Sequence, residues 1–375
     1  MGGEDRVFIN ETAALELVLG KENVFQHTVS NDQINKIKLL ATIWFSFYHY
    51  KKISRIIREN NIDIVHVHNY FPLLTPSVFT AARRNGASTI QTLHNYRWWC
   101  VAGILYRDGV GICEHCIDKK FTILPIKSGC YRNSKLQTLI AIMAMLCYKI
   151  MRIDNLIDYY FVLTPFQKNK IISFGVPPEK LVLKPNFIHI NEKIISEKSK
   201  SGFIYVGRLE ESKGIEILLE SWAMLRTMEK LHIVGSGPLE QELKQRYQGK
   251  NIRFYGSVQN ENVLKLIMKS KYLIQPSVLY ETFGLTIIEA MSVGTPVIGF
   301  NIGTRNNLIK NKYNGFLCNP GNLGETLEQA IHYKNYLTLV KNAKLTAKKY
   351  NESIIVKEQI VVYKKIIKTY GTGIR

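Results

Sequence analysis

Glu281 and Glu289 are the residues of this 375-residue chain whose types and spacing point most directly to chemistry. They stand eight positions apart with Gly284 between them, and Phe283, Gly284 and Leu285 lead from loop-like sequence into an apolar helical pattern. Carboxylates accept hydrogen bonds from hydroxyls. A helix start offers unpaired N–H groups and the positive end of its dipole to a phosphate. An acid, a glycine turn and a second acid at a helix start therefore suit a polyhydroxyl, phosphorylated ligand. A second set lies upstream. Gly207, Arg208, Lys213 and Gly214 follow an apolar run and enter another helical pattern, setting two cations beside a helix start. The Gly-Lys-Ser/Thr ending of a phosphate-binding P-loop is absent.

Other residues carry weaker signals. His94 ends the apolar run 88–93, where a lone histidine is more often packed or capping than catalytic. His66 and His68 share one face of the run 63–68; His66 reads as structural, and His68, at the strand end, could face a cleft. Gly235 and Gly237 read as a tight turn. Cys100, Cys113, Cys116 and Cys130 form Cys-x12-Cys-x2-Cys-x13-Cys. The central pair has metal-ligand spacing, so a structural zinc, less readily an iron–sulfur cluster, stands beside an equal reading of reduced, unliganded thiols. Disulfides come third. Cys147 and Cys318 sit in apolar runs and read as core.

These residues need elements to hold them. Apolar runs at 63–68, 88–93, 159–163, 203–207, 231–235, 252–256, 272–274 and 297–300 alternate with helical patterns. That alternation predicts an α/β protein with parallel sheets covered on both faces. Thr164 and Pro165 read as N-cap and first residue of a helix, and Ser212 as the start of another. The series breaks at Pro185 and resumes after a polar stretch, 191–201, expected as a solvated loop. The predicted domains are 1–185, with a cysteine-rich insertion at 97–135, and 186–348, with a C-terminal helix in 349–375 docking on the first. The apolar run 136–151 falls short of the roughly 18–20 residues that a membrane span needs and reads as a buried or interfacial helix.

Composition narrows the classes. Hydrophobic residues make up 46% and charged residues 21% of the chain, which suits a globular protein and excludes a disordered one. The formal net charge of +20 suits a phosphorylated substrate or an anionic membrane, or reflects only the abundance of Lys, Ile, Asn and Tyr. No nucleic-acid-binding signature accompanies it. No apolar leader is visible, and six cysteines in so large a chain suggest a reducing cytoplasm.

Together these segments resemble family 4 glycosyltransferases, retaining enzymes of the GT-B fold, with two Rossmann-like domains facing across a cleft. The resemblance rests on Gly207-Arg208 through Lys213-Gly214, on Gly235 to Pro238, on Glu281-x7-Glu289 with Gly284, on Gly294-Thr295-Pro296, and on His66, His68 and His94. It spans nearly the whole chain. It implies a hexosyltransferase-type enzyme that uses a nucleotide-sugar donor, needs no catalytic divalent metal, and acts on a glycan or lipid-linked acceptor in cell-surface polysaccharide or glycolipid assembly. By resemblance, Arg208 and Lys213 neutralise the donor diphosphate. Glu281 with Phe283, Gly284 and Leu285 holds sugar and diphosphate. Glu289 takes the ribose, His94 reaches the sugar, and Gly256, Ser257 and Val258 lie against the base. The basic residues Lys51, Lys52, Arg55, Arg58, Arg83 and Arg84 suit an anionic membrane surface, as well as they suit an ordinary solvated face. The cysteine insertion is not general to the family. Neither is the start: the family opens on an apolar strand leading into a Gly-Gly loop. Here Gly2 and Gly3 follow Met1 directly, so the expected loop has no strand before it. The true start is expected upstream; the alternative is a nucleotide-sugar-binding or partner protein without activity.

Overall fold

The computed structural model describes residues 3–30, 36–117, 119, 122–190, 200–247, 249 and 251–370. Gly2 and residues 191–199 of the expected loop at 191–201 lie outside them. The strands, in chain order, are β1 (Ile64–Val67), β2 (Ser88–Thr92), β3 (Tyr106–Arg107), β4 (Gly111–Ile112), β5 (Tyr159–Val162), β6 (Leu181–Leu183), β7 (Phe203–Val206), β8 (Leu231–Val234), β9 (Ile252–Gly256), β10 (Tyr272–Gln275), β11 (Val297–Phe300) and β12 (Gly315–Cys318). They form a parallel sheet β1-β2-β5-β6, a parallel sheet β12-β11-β10-β7-β8-β9, and the antiparallel hairpin β3-β4. The chain divides into two compact units. The first holds residues 1–104, 114–185 and 353–375; the second holds 105–113 and 186–352.

In the first unit the apolar strands form the floor of the fold. Ile90 on β2 and Phe161 on β5 pack with Ile366 of the C-terminal helix Glu352–Tyr370, and all three are buried. Gly3 is not in a loop; it opens the helix Gly3–Leu19, whose first turn carries Glu4 and Asp5, charges that the helix dipole favours there. Thr164 caps the helix Pro165–Ser173, accepting from the Gln167 N–H at 3.2 Å, with the proline at the first position. The apolar run near 136–151 is the helix Lys135–Ile150, capped by Ser134; it buries Ala141, Ile142 and Ala144 and exposes Leu136 and Ile150 at its ends. Among the described residues, no helix is long and apolar enough to cross a membrane.

The second unit repeats the strand–helix alternation around a core that includes Trp222, Phe203, Tyr272 and Phe316. In chain order its strands run third-second-first-fourth-fifth-sixth across the sheet, a doubly wound order whose direction reverses between β7 and β10. Ligands of open α/β sheets bind in the crevice outside the carboxyl ends of the strands at such a reversal. The helix after β7 is Ile215–Met224, and its N-cap is Gly214 in a left-handed conformation, not Ser212. Ser212 sits one turn earlier and donates to the Glu210 carboxylate at 2.8 Å.

Candidate functional site

The crevice between β7 and β10 gathers most of the chemistry-bearing residues of the second unit. Gly207 leaves β7, and the loop passes Arg208 and the short turn Glu211–Lys213 before Gly214. The loop after β10 runs from Pro276 to Gly284. The two loops touch: the Val278 N–H donates to the Ser212 carbonyl at 3.0 Å. Gly214 has φ +65, and a Cβ there would meet the Pro276 carbonyl oxygen at 1.9 Å. Only glycine permits both that conformation and that approach.

Lys213 and Glu281 meet in this crevice. Lys213 Nζ stands 2.7 Å from Glu281 Oε1, and the Ser277 hydroxyl donates to the same oxygen at 2.9 Å. Burial works to raise the Glu281 pKa. The charge and hydrogen bond of Lys213 oppose it, helped by Arg305 and the Ser277 hydroxyl, and hold the carboxyl below its usual range. Arg208, by contrast, is exposed and pairs with Glu210 at 3.3 Å. Such a pair restrains a side chain weakly, which leaves the guanidinium able to move to an anion.

Gly284 is the N-cap of the helix Leu285–Ser292, with φ +94. It places no side chain over the first amides of that helix. Phe283 is buried against Tyr350, with ring centroids 5.8 Å apart, and fixes the turn. Glu289 lies within the helix and is half-buried. Gly256 ends β9, and its carbonyl accepts from the Gly235 N–H at 2.8 Å; Ser257 is exposed and Val258 half-buried. These three lie two strands from the point of reversal.

His94 and Gly3 belong to the first unit. His94 is half-buried at the end of β2, with its Nε2 2.9 Å from His68 Nδ1 and the two rings stacked at 22°. Burial, then the neighbouring His68, holds its pKa well below the ordinary histidine value. Gly3 is exposed. The four-thiolate metal site expected from spacing finds no support. Cys113 follows β4 and counts with the second unit, whereas Cys100, Cys116 and Cys130 count with the first. Among the described residues, the side chains close enough to hold a metal ion are Glu11, His66 and His68.

Arg305 is the residue that sequence reasoning missed here. It is fully buried, donating from Nε to the Phe300 carbonyl at 3.0 Å and from Nη2 to the Ser277 and Leu279 carbonyls at 2.6 and 3.2 Å. Burial brings its pKa down to about 10, with Glu281 working the other way. It thus pins the loop that carries Glu281, and the Thr304 hydroxyl adds a bond to the Glu281 carbonyl at 2.6 Å. The signal was an arginine just after a fully apolar strand, which by itself reads as solvated. Glu211 was also passed over. It accepts from the Tyr106 hydroxyl and the Gly109 N–H, both at 2.9 Å, so the β3-β4 hairpin braces the turn that ends in Lys213.

Comparison with known proteins bears on the family and the fold. Residues 187–349 match the model for glycosyl transferases group 1, and residues 17–192 match that for glycosyltransferase family 4. An uncharacterized glycosyltransferase of Methanocaldococcus jannaschii is 30% identical over 224 residues, 56% of this chain and 57% of that protein. The O-antigen chain mannosyltransferase C of Escherichia coli is 29% identical over 173 residues, 44% of each. The matched stretch thus spans about half the length of these curated relatives. Among solved structures, Anabaena HepE in complex with UDP-glucose superposes with a TM-score of 0.66 at 16% identity, covering 97% of this chain and 96% of that one. The fold is GT-B, with two Rossmann-like domains.

Proposed function

We propose that this chain, a GT-B member of the glycosyltransferase families 4 and 1, moves a sugar from a nucleoside-diphosphate sugar to a glycan or lipid-linked acceptor, retaining the anomeric configuration. The observation that carries this reading is the Lys213–Glu281 pair at the carboxyl ends of β7 and β10, beside the amides of a glycine-capped helix. The crystallised HepE holds UDP-glucose, which supports a donor of the same class here.

The chemistry follows from charge. The anomeric carbon's bond to the phosphate oxygen breaks, and negative charge develops on the departing diphosphate. Lys213, Arg208 and the first amides of the helix Leu285–Ser292 supply fixed positive charge and N–H donors where that charge appears, which lowers the barrier without reorganisation. The acceptor hydroxyl attacks from the leaving-group face. Its proton passes to the departing phosphate oxygen, so bond and proton both balance and configuration is retained. Glu281 keeps Lys213 in register and offers its carboxylate to sugar hydroxyls. Glu289 takes the ribose, and Gly256, Ser257 and Val258 face the base. Neither acid serves as a covalent nucleophile, which separates this site from the carboxylate pair of retaining hydrolases.

The acceptor is proposed to be presented at an anionic membrane surface, on the cytoplasmic side. Ile37, Phe47 and Tyr48 are 80%, 70% and 66% exposed, and Lys51, Lys52 and Arg55 follow on the helix Phe47–Asn60. Apolar side chains beside basic ones suit interfacial binding. A panel of nucleotide-sugars tests the reading. Saturation-transfer NMR identifies the donor that binds, and release of nucleoside diphosphate shows turnover. The anomeric coupling in the product spectrum tests retention, and an inverted product removes the same-face mechanism.

A further inference from the structure

The hairpin β3-β4 has no part in the transfer chemistry described above. Residues 105–113 interrupt the first unit in sequence yet count with the second, so the hairpin and the loop 207–214 belong to one compact unit. Its inner side is packed. Leu105 and Tyr106 are buried, and the Cys113 N–H donates to the Leu105 carbonyl at 2.9 Å. Asp108, Gly109 and Val110 form an exposed tip, closed by the Val110 N–H on the Arg107 carbonyl at 3.0 Å.

Two donors of this hairpin converge on one carboxylate oxygen. The Tyr106 hydroxyl and the Gly109 N–H both reach Glu211 Oε1 at 2.9 Å. Burial, then the hydrogen bond to Glu211, pushes the Tyr106 pKa up, so the hydroxyl keeps its proton at any working pH. Glu211 opens the short turn Glu211–Lys213, and its carbonyl accepts from the Gly214 N–H at 2.8 Å. The Lys213 N–H donates to the Glu210 carbonyl at 3.1 Å. The hairpin thus grips the residue whose backbone closes the turn, and Lys213 leaves that turn to meet Glu281 at 2.7 Å. Charge adds a second reason for the grip. Between Arg208 and Lys213 the loop also carries Glu210 and Glu211, acids that would compete with a phosphate for the cations. Glu210 is occupied by the Ser212 hydroxyl at 2.8 Å and by Arg208 at 3.3 Å, and Glu211 is occupied by the hairpin.

We propose that Tyr106 and Glu211 are positioning residues for the donor diphosphate, through which the hairpin holds the turn that aims Lys213 and keeps the Glu211 carboxylate off its ammonium. The assignment rests on the transfer reading above, in which Lys213 meets the diphosphate. A three-residue turn has few bonds of its own, so two donors on one ionised acceptor weigh heavily in holding it. A group that must meet a phosphate at a fixed place is sensitive to small displacements of its support. The Tyr106–Glu211 bond spans 105 positions, so the glycine–cation spacing of 207–214 carries no trace of it.

Amide exchange of the ligand-free whole chain reads the hold on the turn. Tyr106→Phe removes one donor and leaves the ring, and Glu211→Ala removes the acceptor. Each should speed exchange at Lys213 and Gly214 about tenfold while β7 and β10 exchange as in wild type. Glu211→Gln keeps an oxygen for both donors and should stay within about twofold of wild type. Calorimetric titration with UDP, GDP, ADP and dTDP in turn identifies the nucleotide that binds. For that nucleotide, Tyr106→Phe and Glu211→Ala should raise Kd about tenfold at unchanged stoichiometry, and Glu211→Gln should match wild type. Partial unfolding would instead lower the stoichiometry and leave Kd alone. A Kd unchanged in both variants overturns the proposal, as does exchange unchanged in both, or a Glu211→Gln chain as weak as Glu211→Ala. If Tyr106→Phe does not fold, the two Glu211 variants decide. A wild type that binds none of the four nucleotides contradicts the transfer reading, and the exchange rates then decide whether the hairpin holds the turn.

Discussion

Lys213 and Glu281 stand 2.7 Å apart, and the pair orients both side chains. Removing a fixed charge that acts on the departing phosphate costs transition-state stabilisation more than ground-state binding. Lys213→Ala is predicted to lower kcat of donor turnover by about a hundredfold or more, as read by nucleoside-diphosphate release. Arg208→Ala, at an exposed and weakly held side chain, should act more on donor affinity. The depressed Glu281 pKa gives a second expectation. A carboxyl whose folded value lies below its unfolded value of about 4.3 adds stability above that value and loses it as pH falls through the folded one. The stability difference between wild type and Glu281→Gln, measured by urea unfolding, should therefore be largest near neutrality and shrink below about pH 4. A difference that grows on acidification contradicts the sign. Arg305→Met leaves three backbone carbonyls short of their donor and is predicted to cost about 2–4 kcal/mol by the same unfolding measurement.

At the scale of elements, two loops converge at the reversal point because glycines let them. Gly214→Ala adds a Cβ at 1.9 Å from the Pro276 carbonyl in a left-handed conformation, and Gly235→Ala does the same against the Gly207 carbonyl. Each is predicted to destabilise the chain by about 1–3 kcal/mol and to weaken nucleotide binding, checked by thermal unfolding and calorimetric titration. A buried parallel strand is legible as a near-continuous apolar run: β11 is buried throughout and has the bounds read from sequence, as does the edge strand β9, where Gly256 marks the end. The glycine–acid motifs were legible because their spacing is local. What escaped depends on distance. Arg305 reaches carbonyls up to 28 positions away, and a lone arginine carries no periodic signal. Glu11 lies 173 positions from Lys184, so a buried acid in the 17-residue helix Gly3–Leu19 reads like any exposed one. Ser212 resembled an N-cap, yet Gly214 caps the helix because the turn before it needs a left-handed residue.

At the scale of the molecule, the +20 net charge finds two proposed uses, a phosphorylated donor and an anionic surface. The surface reading predicts that the chain co-sediments with phosphatidylglycerol vesicles and not with phosphatidylcholine vesicles. Salt or Lys51→Glu with Lys52→Glu should release it. Binding that ignores lipid charge contradicts that use. The donor reading is the central one, and release of nucleoside diphosphate across a nucleotide-sugar panel tests it most directly. The predicted result is turnover of at least one donor by the wild-type chain, lost in Lys213→Ala. Donor binding without turnover, or undiminished turnover in Lys213→Ala, contradicts it.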